Sequence, residues 1–215
     1  MINHEFSIGR EHYVRNANIY VDLVYQPVNA FNISVSPSFT WNRNQMQYVT
    51  TVSSDGQARY IVAAIDQTVA RVTLRMTYMV TPNLSLQYYG QPFGSTGVYS
   101  DYKYITDASA ASYRERFSQI QTASLAASAG GYGVDENNDG MIDYSFSNPD
   151  FNFGQFRSNM VVRWEYIPGS TFFLVWSRER NGAFYDHRGP KEYRFDFDEK
   201  GHNIFLVKFT YRFVL

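Results

Sequence analysis

The chain has 215 residues, a formal net charge of -1 and no cysteine. The lack of cysteine excludes disulfides, thiol catalysis and thiolate metal sites. The near-neutral charge gives no sign of binding to nucleic acid, which normally needs a clustered basic surface. Aromatic residues make up 18% of the chain, whereas no run approaches the roughly 20 apolar residues that a transmembrane helix needs.

The first clear strand pattern runs from Asn18 to Gln26, where side chains alternate between two faces. Its apolar face holds Ile19, Val21, Leu23 and Tyr25. Pro27–Ala30 predicts a tight turn, since proline presets its backbone angle and asparagine tolerates turn geometry. In the next predicted strand, the apolar face alternates with hydroxyl and amide side chains, which suits a water-filled lumen; the apolar residues are Ile33, Val35, Phe39 and Trp41.

The alternation is clearest from Arg71 to Val80, after a turn predicted at Ser53–Gly56. Polar residues occupy one face of this strand, namely Arg71, Thr73, Arg75 and Thr77. A dry core excludes unpaired arginines, because a buried charge without a partner is very costly. We therefore predict a hydrated or salt-bridged environment on this face. Thr81–Asn83 predicts the next turn, and another strand begins at Leu84.

After Tyr99 the alternation stops for more than fifty residues, and we predict a long external loop over 100–156 with a short helix at Ala108 to Ile120. Strands return at Asn159 to Tyr166 and Phe172 to Trp176, joined by a turn at Pro168–Ser170. A second long external loop is predicted over 181–201.

The closing strand, Asn203 to Leu215, places aromatic and aliphatic residues on alternate positions. Its apolar face holds Phe205, Val207, Phe209, Tyr211, Phe213 and Leu215. Lys208, Thr210 and Arg212 lie on the other face. Outer-membrane barrels have this lipid–lumen alternation, although a strand of a soluble sandwich can show it too.

Together the patterns predict an all-β fold, an antiparallel transmembrane β-barrel segment of about seven strands that forms a single domain over 1–215. Short turns share one side with the C-terminus, and long loops share the other, as in barrels of the Gram-negative outer membrane. Single-chain bacterial barrels normally have even strand numbers, and Met1 to Ser7 lacks the features of a secretory signal. We therefore expect a C-terminal fragment of a larger barrel.

Six charged residues are predicted to line the lumen: Arg71, Arg75, Arg163, Glu165, Lys208 and Arg212. Rings of charge tune which solutes pass a pore, so these side chains are candidates for a selectivity lining. The alternative is a lumen that contains salt bridges between its lining residues and is closed by the protein's own loops. Arg and Glu in similar registers slightly favour this alternative.

One loop has the spacing of a calcium-binding loop. The candidate ligands at positions one, three, five, seven and nine are Asp135, Asn137, Asp139, the Met141 carbonyl and Asp143. Gly140 lies where such a loop turns sharply, but Phe146 replaces the bidentate Glu of position twelve. Calcium is therefore the candidate cofactor. The alternative is an ion-free loop, since Asn, Asp and Gly favour turns anyway.

Catalysis has little support in the sequence. Asp186 with His187, or Asp196 with Asp198, could act as acid–base pairs, but such residues are far more often solvated charges of a loop. None of the four histidines lies in a Gly-x-Ser-x-Gly or His-Glu-x-x-His context. We predict that the chain is not an enzyme and name no catalytic residue.

Several motifs resemble a known family: Arg59-Tyr-Ile-Val62, Thr81-Pro-Asn-Leu-Ser-Leu86, Gln91-Pro-Phe93, Asn148-Pro-Asp-Phe-Asn-Phe153, Arg163-Trp-Glu-Tyr166, and Pro168-Gly-Ser-Thr171 with Leu174-Val-Trp-Ser177. They are similar to the C-terminal barrel region of a Gram-negative outer-membrane family known only as a domain of unknown function. Its members usually carry an N-terminal module similar to family-nine carbohydrate-binding domains. That module is absent here, so the resemblance implies membrane location more than any activity.

The sequence thus predicts an outer-membrane barrel that serves as a pore, a transporter or the anchor of a surface module, with a link to carbohydrate uptake. The alternative is a cell-surface protein that binds or processes carbohydrate, with this segment as its membrane support. The expected partners are outer-membrane lipid and the barrel-assembly machinery, with a glycan as a further candidate and no nucleic acid.

Overall fold

The computed structural model describes residues 2–10, 13–54, 56–128, 130–186, 193–197 and 200–213. Its strands are β1 (Ile2–Arg10), β2 (Val14–Val28), β3 (Phe31–Ser54), β4 (Gln57–Thr81), β5 (Leu84–Ile105), β6 (Phe117–Gln119), β7 (Leu125–Ser128), β8 (Gly131–Val134), β9 (Tyr144–Ser147), β10 (Phe151–Ile167), β11 (Ser170–Asp186), β12 (Tyr193–Phe197) and β13 (His202–Thr210). All described strand pairs are antiparallel, which confirms the predicted all-β antiparallel class. No helix of the described residues is long and apolar enough to cross a membrane.

Eight strands of the large sheet follow one another as a meander, in the order β1-β2-β3-β4-β5-β10-β11-β13. β12 pairs with the far part of β11, and β6 pairs with the end of β5. The predicted count of about seven strands was too low, since the described residues form thirteen strands, ten of them in the large sheet. Within the meander the prediction missed β1, which has no clear alternation; the other missed strands are short. The argument from an odd strand number therefore loses its basis. Within the described residues no pairing joins β1 to β13, so the sheet is open.

The predicted turns are confirmed by the strand boundaries. Asn29–Ala30, Pro82–Asn83 and Pro168–Gly169 connect consecutive strands at one end of the sheet. Gly169 has a φ of 83°, and Gly56 in the turn between β3 and β4 has a φ of 72°. Both angles lie in the left-handed region that glycine adopts without a steric cost. We call the end with the first three turns the turn side.

Three central strands are much longer than a membrane crossing requires. β3 has 24 residues, β4 has 25 and β5 has 22, whereas a barrel strand crosses the bilayer with about 9–11 residues. Bulges interrupt the ladders at Asn44/Gln47, Tyr48/Thr50 and Val62/Ala64. The far ends of these strands therefore extend into a second environment.

That second environment is a small β-structure, here called the cap (117–147), which packs against the far ends of β3, β4 and β5. Within it, β7, β8 and β9 form a separate three-stranded sheet. A buried core joins the cap to the long strands and consists of Ile61, Ala63, Tyr102, Ile120, Val134, Tyr144 and Phe146. The region predicted as loop 100–156 is thus largely structured, since β5 runs to Ile105 and β10 starts at Phe151.

The helix predicted over Ala108 to Ile120 is wrong. This stretch contains only a 3-10 turn at Tyr113–Arg116, followed by β6. The second predicted loop, 181–201, is also shorter than expected. β11 continues to Asp186 and β12 pairs with it, while 187–192 and 198–199 lie outside the described residues. The closing strand ends at Thr210 rather than at Leu215, which lies outside the described residues.

Candidate functional site

The register of the ladders assigns every paired residue to one of two faces, because directly opposed side chains point to the same side of a sheet. Arg71 on β4 pairs with Ser38 on β3 and with Phe93 on β5. Phe93 in turn pairs with Gln155 on β10. We call this side the polar face and the opposite side the apolar face.

The apolar face carries aliphatic and aromatic side chains from β2 to β13. Its members include Ile19, Val21, Leu23, Tyr25, Ile33, Val35, Phe39, Trp41, Val72, Leu74, Met76, Tyr78, Leu86, Tyr88, Met160, Val162, Trp164, Phe172, Leu174, Trp176, Phe205, Val207 and Phe209. Many are exposed, with Phe205 at 69% and Tyr25 at 64%. Rings from neighbouring strands stack on this face, as Trp176 does on Phe205 at 6.3 Å between centroids. The face is thus a continuous apolar surface.

On the polar face, one row of residues in register crosses all eight strands of the meander. We call it the polar row; it consists of Asn3, Asp22, Ser36, Thr73, Gln91, Arg157, Glu179 and His202, which are joined by ladder pairs except where side-chain hydrogen bonds link Asp22 to Ser36 and Thr73 to Gln91. The Ser36 hydroxyl donates to Asp22 at 2.6 Å. The Gln91 amide donates to the Thr73 hydroxyl at 2.9 Å. Neighbouring strands are therefore linked by side chains on this face as well as by their backbones.

Arg157 and Glu179 of the polar row form an ion pair. An Arg157 Nη2 lies 3.7 Å from Glu179 Oε1, and the Gln155 amide donates to the same carboxylate at 2.9 Å. The sequence did not single out these residues, because their pairing depends on the register between β10 and β11.

Five of the six predicted lining residues lie on the polar face, but they do not form one cluster. Arg71 and Arg75 are on β4, separated by about 13 Å at the usual rise per strand residue. Arg163, Glu165 and Lys208 lie nearer the turn side, and an Arg163 Nη2 donates to Glu165 at 3.0 Å.

Arg212, the sixth predicted residue, follows β13. Its backbone N–H donates to the Ser170 hydroxyl at 3.0 Å, and its side chain lies beside Gly169. Arg212 therefore binds the end of the described chain to the turn between β10 and β11.

The arginines on β4 differ from the other charges of the polar face. Both are exposed, and neither has a carboxylate within 4.0 Å among the described residues. The guanidinium of Arg75 lies 5.5 Å from the centre of the Tyr89 ring. The two positive charges are therefore available to solvent.

A patch of the polar face near β13 is apolar instead. Val161, Phe173, Val175, Ile204 and Leu206 share this side by register. Because the other face of these strands is apolar too, β10, β11 and β13 are apolar on both sides here. The uninterrupted run from Phe172 to Val175 is the sequence signal for such a segment.

The sequence also gave no hint of a glycine row on the apolar face. Gly94, Gly154 and Gly182 oppose one another on β5, β10 and β11. The ring of Phe184, which is completely buried, lies directly over Gly94 where a Cβ would otherwise project. Phe184 also contacts Phe195 at 4.9 Å between ring centroids. The row thus forms a groove that holds one ring.

The loop predicted to bind calcium is ordered by its own hydrogen bonds. Asp135 accepts the N–H groups of Asp139 and Gly140, at 3.1 and 2.8 Å. Asn137 accepts the N–H of Asp139 at 2.9 Å, and Asp143 accepts that of Glu136 at 2.7 Å. No three Asp, Glu, His or Cys side chains converge as a metal site in the described part of the chain. Calcium binding at Asp135, Asn137, Asp139, Met141 and Asp143 stays a prediction.

The cap is held to β4 by a half-buried ion pair. Arg59 Nε donates to Glu136 at 3.2 Å, and this hydrogen bond raises the pKa of Arg59. Burial raises the pKa of Tyr102 and of Tyr144. Burial lowers the pKa of Lys103, whose ammonium donates to the Asp101 carbonyl at 2.7 Å. The contact region is therefore dry enough to disfavour charged tyrosine and lysine.

Comparisons of the chain with protein-family models, with curated proteins and with solved structures find no match. The family resemblance stays a prediction, and the function has to be argued from the two faces of the sheet.

Proposed function

We propose that this chain forms the wall of a β-barrel in the Gram-negative outer membrane, with the apolar face toward lipid and the polar face toward an aqueous lumen. The observation that carries the proposal is the continuous, exposed apolar face. Soluble monomers rarely expose contiguous apolar patches of more than a few hundred Å². A bilayer supplies the apolar solvent that such a face requires.

The length of the apolar segments supports the same assignment. On β3 the apolar positions extend from Phe31 to Trp41, eleven residues that match the roughly 9–11 residues of a membrane-crossing strand. Tyr78 and Trp164 lie close to the turn-side ends of β4 and β10. Aromatic residues favour such positions, because one end of the ring system is apolar and the other is wet.

The polar face supports an aqueous lumen rather than a dry core. It contains ion pairs, amides and hydroxyl groups together with the exposed Arg71 and Arg75. Unpaired charges are too costly for an interior without water. We propose that the barrel conducts small solutes; the second possibility is an anchor whose lumen is closed.

Cell fractionation tests the membrane assignment. The protein is expected in the outer-membrane fraction of its own cells and to migrate faster on gels before heating than after it. Recovery in the soluble fraction without detergent would overturn the proposal. Conductance of the purified full chain in planar bilayers then separates a conducting barrel from a closed anchor.

A further inference from the structure

Resting on this proposed function, we propose that the polar face selects for anionic solutes and that Arg71 and Arg75 are the residues that recognise them. Both side chains are exposed and lie on the same face of β4, in the interior of the sheet. Their paired neighbours on β3 are the small residues Ser38 and Ser34. The short serine side chains leave both guanidinium groups open from that side.

Two carboxylates on the β10 and β11 side of this face already have partners. Glu179 accepts from Gln155 at 2.9 Å and lies 3.7 Å from Arg157. Glu165 accepts from Arg163 at 3.0 Å. These two acidic groups therefore do not offset the charges of β4.

Two further acidic residues lie toward β1. Asp22 accepts a hydrogen bond from Ser36 and lies two strands from β4, in the row between the two arginines. At about 4.8 Å between strands and about 3.3 Å per residue it is about 12 Å from each arginine, which exceeds the Debye length of about 8 Å at physiological salt. Glu5 belongs to the same row as Arg71 but is three strands away. At about 4.8 Å between strands, its distance of about 14 Å exceeds the Debye length of about 8 Å at physiological salt. The unscreened field near Arg71 and Arg75 is therefore positive.

The chemistry of the arginines defines the solute class. A guanidinium presents a planar fork of donors that matches carboxylate and phosphate groups. Tyr89 lies beside Arg75, and Gln91 lies in the row between the two arginines, so neutral hydrogen-bonding groups accompany the charges. Small carboxylated or phosphorylated solutes fit this lining better than cations do.

Cysteine substitution measures the local potential directly, because the chain has no cysteine of its own. Ser38→Cys and Ser34→Cys place thiols opposite Arg71 and Arg75. In the purified protein, a negatively charged methanethiosulfonate should modify both faster than a positively charged one. Adding Arg71→Gln to Ser38→Cys, or Arg75→Gln to Ser34→Cys, should lower the ratio of the two rates by about tenfold.

Ser177→Cys is the matched control. Ser177 lies in the row of Arg75 but three strands away, so Arg75→Gln should change its rate ratio by less than about twofold. Ser38 is buried, whereas Ser34 is partly exposed. Thiols at positions 34 and 38 that react equally with both reagents, or a thiol at position 34 that reacts with neither, would overturn the inference, since the face would then be neutral or dry.

Reversal potentials across a KCl gradient give the functional readout. The wild-type barrel should prefer chloride, and Arg71→Gln with Arg75→Gln should abolish the preference. The control removes two cations outside the polar face, Arg15→Gln with Arg114→Gln, and should leave it unchanged. A barrel that inserts and conducts but is cation-selective overturns the inference alone. A barrel that inserts but does not conduct overturns the inference together with the proposed conduction, and failure to enter the membrane fraction overturns the proposed barrel itself.

Discussion

β4 passes through two regions that treat similar side chains in opposite ways. At the cap, Ile61 and Ala63 are fully buried, and the neighbouring Val62 and Ala64 on the other side of the strand are buried as well. At the turn side, Tyr78 and Val80 are 40% and 46% exposed. The cap therefore covers the apolar side chains of β4 with a core of its own, whereas at the turn side the described residues leave them exposed. The alternation of side chains along a strand tells which face each residue lies on. The elements packed around the strand determine whether that face is buried or exposed.

Removing an aromatic ring from the cap core should cause the largest loss of stability. This loss should be the same with and without lipid. Phe146→Ala deletes a buried ring that contacts Tyr102 and Tyr132, and it is expected to cost about 3–5 kcal/mol of cap stability. Limited proteolysis should then cut within 106–150 while the large sheet persists, in detergent and in vesicles alike. Ser145→Ala, at an exposed neighbouring position, is the control. Equal protease resistance of both variants would show that the cap has no core of its own.

A charge introduced on each face of the turn-side region should show which face contacts lipid and which face contacts an aqueous lumen. Met76→Arg puts a guanidinium on the apolar face and is expected to cost about 2–4 kcal/mol in a bilayer. Thr77→Arg, one residue further and on the polar face, is expected to be nearly neutral. Urea unfolding in lipid vesicles measures both. Equal losses for the two variants would contradict the assignment of the faces.

The glycine row should tolerate no added methyl group. Gly94→Ala places a Cβ against the Phe184 ring, and overpacking of this kind costs about 1–3 kcal/mol. In a Phe184→Ala background the same change should cost much less, because the ring is gone. A double-mutant cycle by urea unfolding measures the coupling. Additive effects would mean that the ring does not occupy the groove in solution.

Alkaline pH should destabilise the cap before it affects the turn side. This is the smallest of the four expected effects on stability. The raised pKa values of Tyr102 and Tyr144 mean that the unfolded state loses protons first, so their contribution is complete below about pH 10 and is lost as the pH rises. At pH 10.5 the free energy of unfolding of the cap should be lower by about 0.8 kcal/mol for each tyrosine. The lowered pKa of Lys103 acts in the opposite direction.

Protease sensitivity of the cap across pH 9 to 11 measures this effect. Tyr144→Phe, which cannot ionise, should show a smaller pH dependence than the wild type. A cap that becomes more resistant above pH 10 would contradict the assignment.

The turns and the two faces were predictable because they are local. Pro82 and Asn83 fix a turn by their own backbone preferences, and period-two alternation assigns Leu74 and Arg75 to opposite faces without knowledge of the partners. β1 was missed because the polar residues Asn3, His4 and Glu5 follow one another there and hide any alternation.

The cap was not predictable for a different reason. Its strands are four residues long and contain Ala126, Gly131 and Gly133, which carry no alternating pattern. They become strands because they pack on Tyr102 and Ile61 from distant parts of the chain. Tertiary contacts of this kind leave no local signal.

The polar row depends on register across seven ladders. Asp22 and Glu179 share it only because each turn and bulge between them has a particular length, and a slip of one residue would send an entire strand's side chains to the other face. Charged residues could be assigned to a face from the sequence, but their partners could not.

The length of β4 has a consequence for how the molecule would present itself at a cell surface. At about 3.3 Å per residue its 25 residues extend for about 80 Å, and a bilayer's hydrocarbon core takes up only about 30 Å of thickness. Because barrel strands tilt by about 45°, this length spans about 57 Å along the membrane normal. The cap would then lie outside the lipid headgroups, held there by the long strands β3, β4 and β5. Antibodies and proteases added to intact cells would reach the cap long before they reached the strands that anchor it.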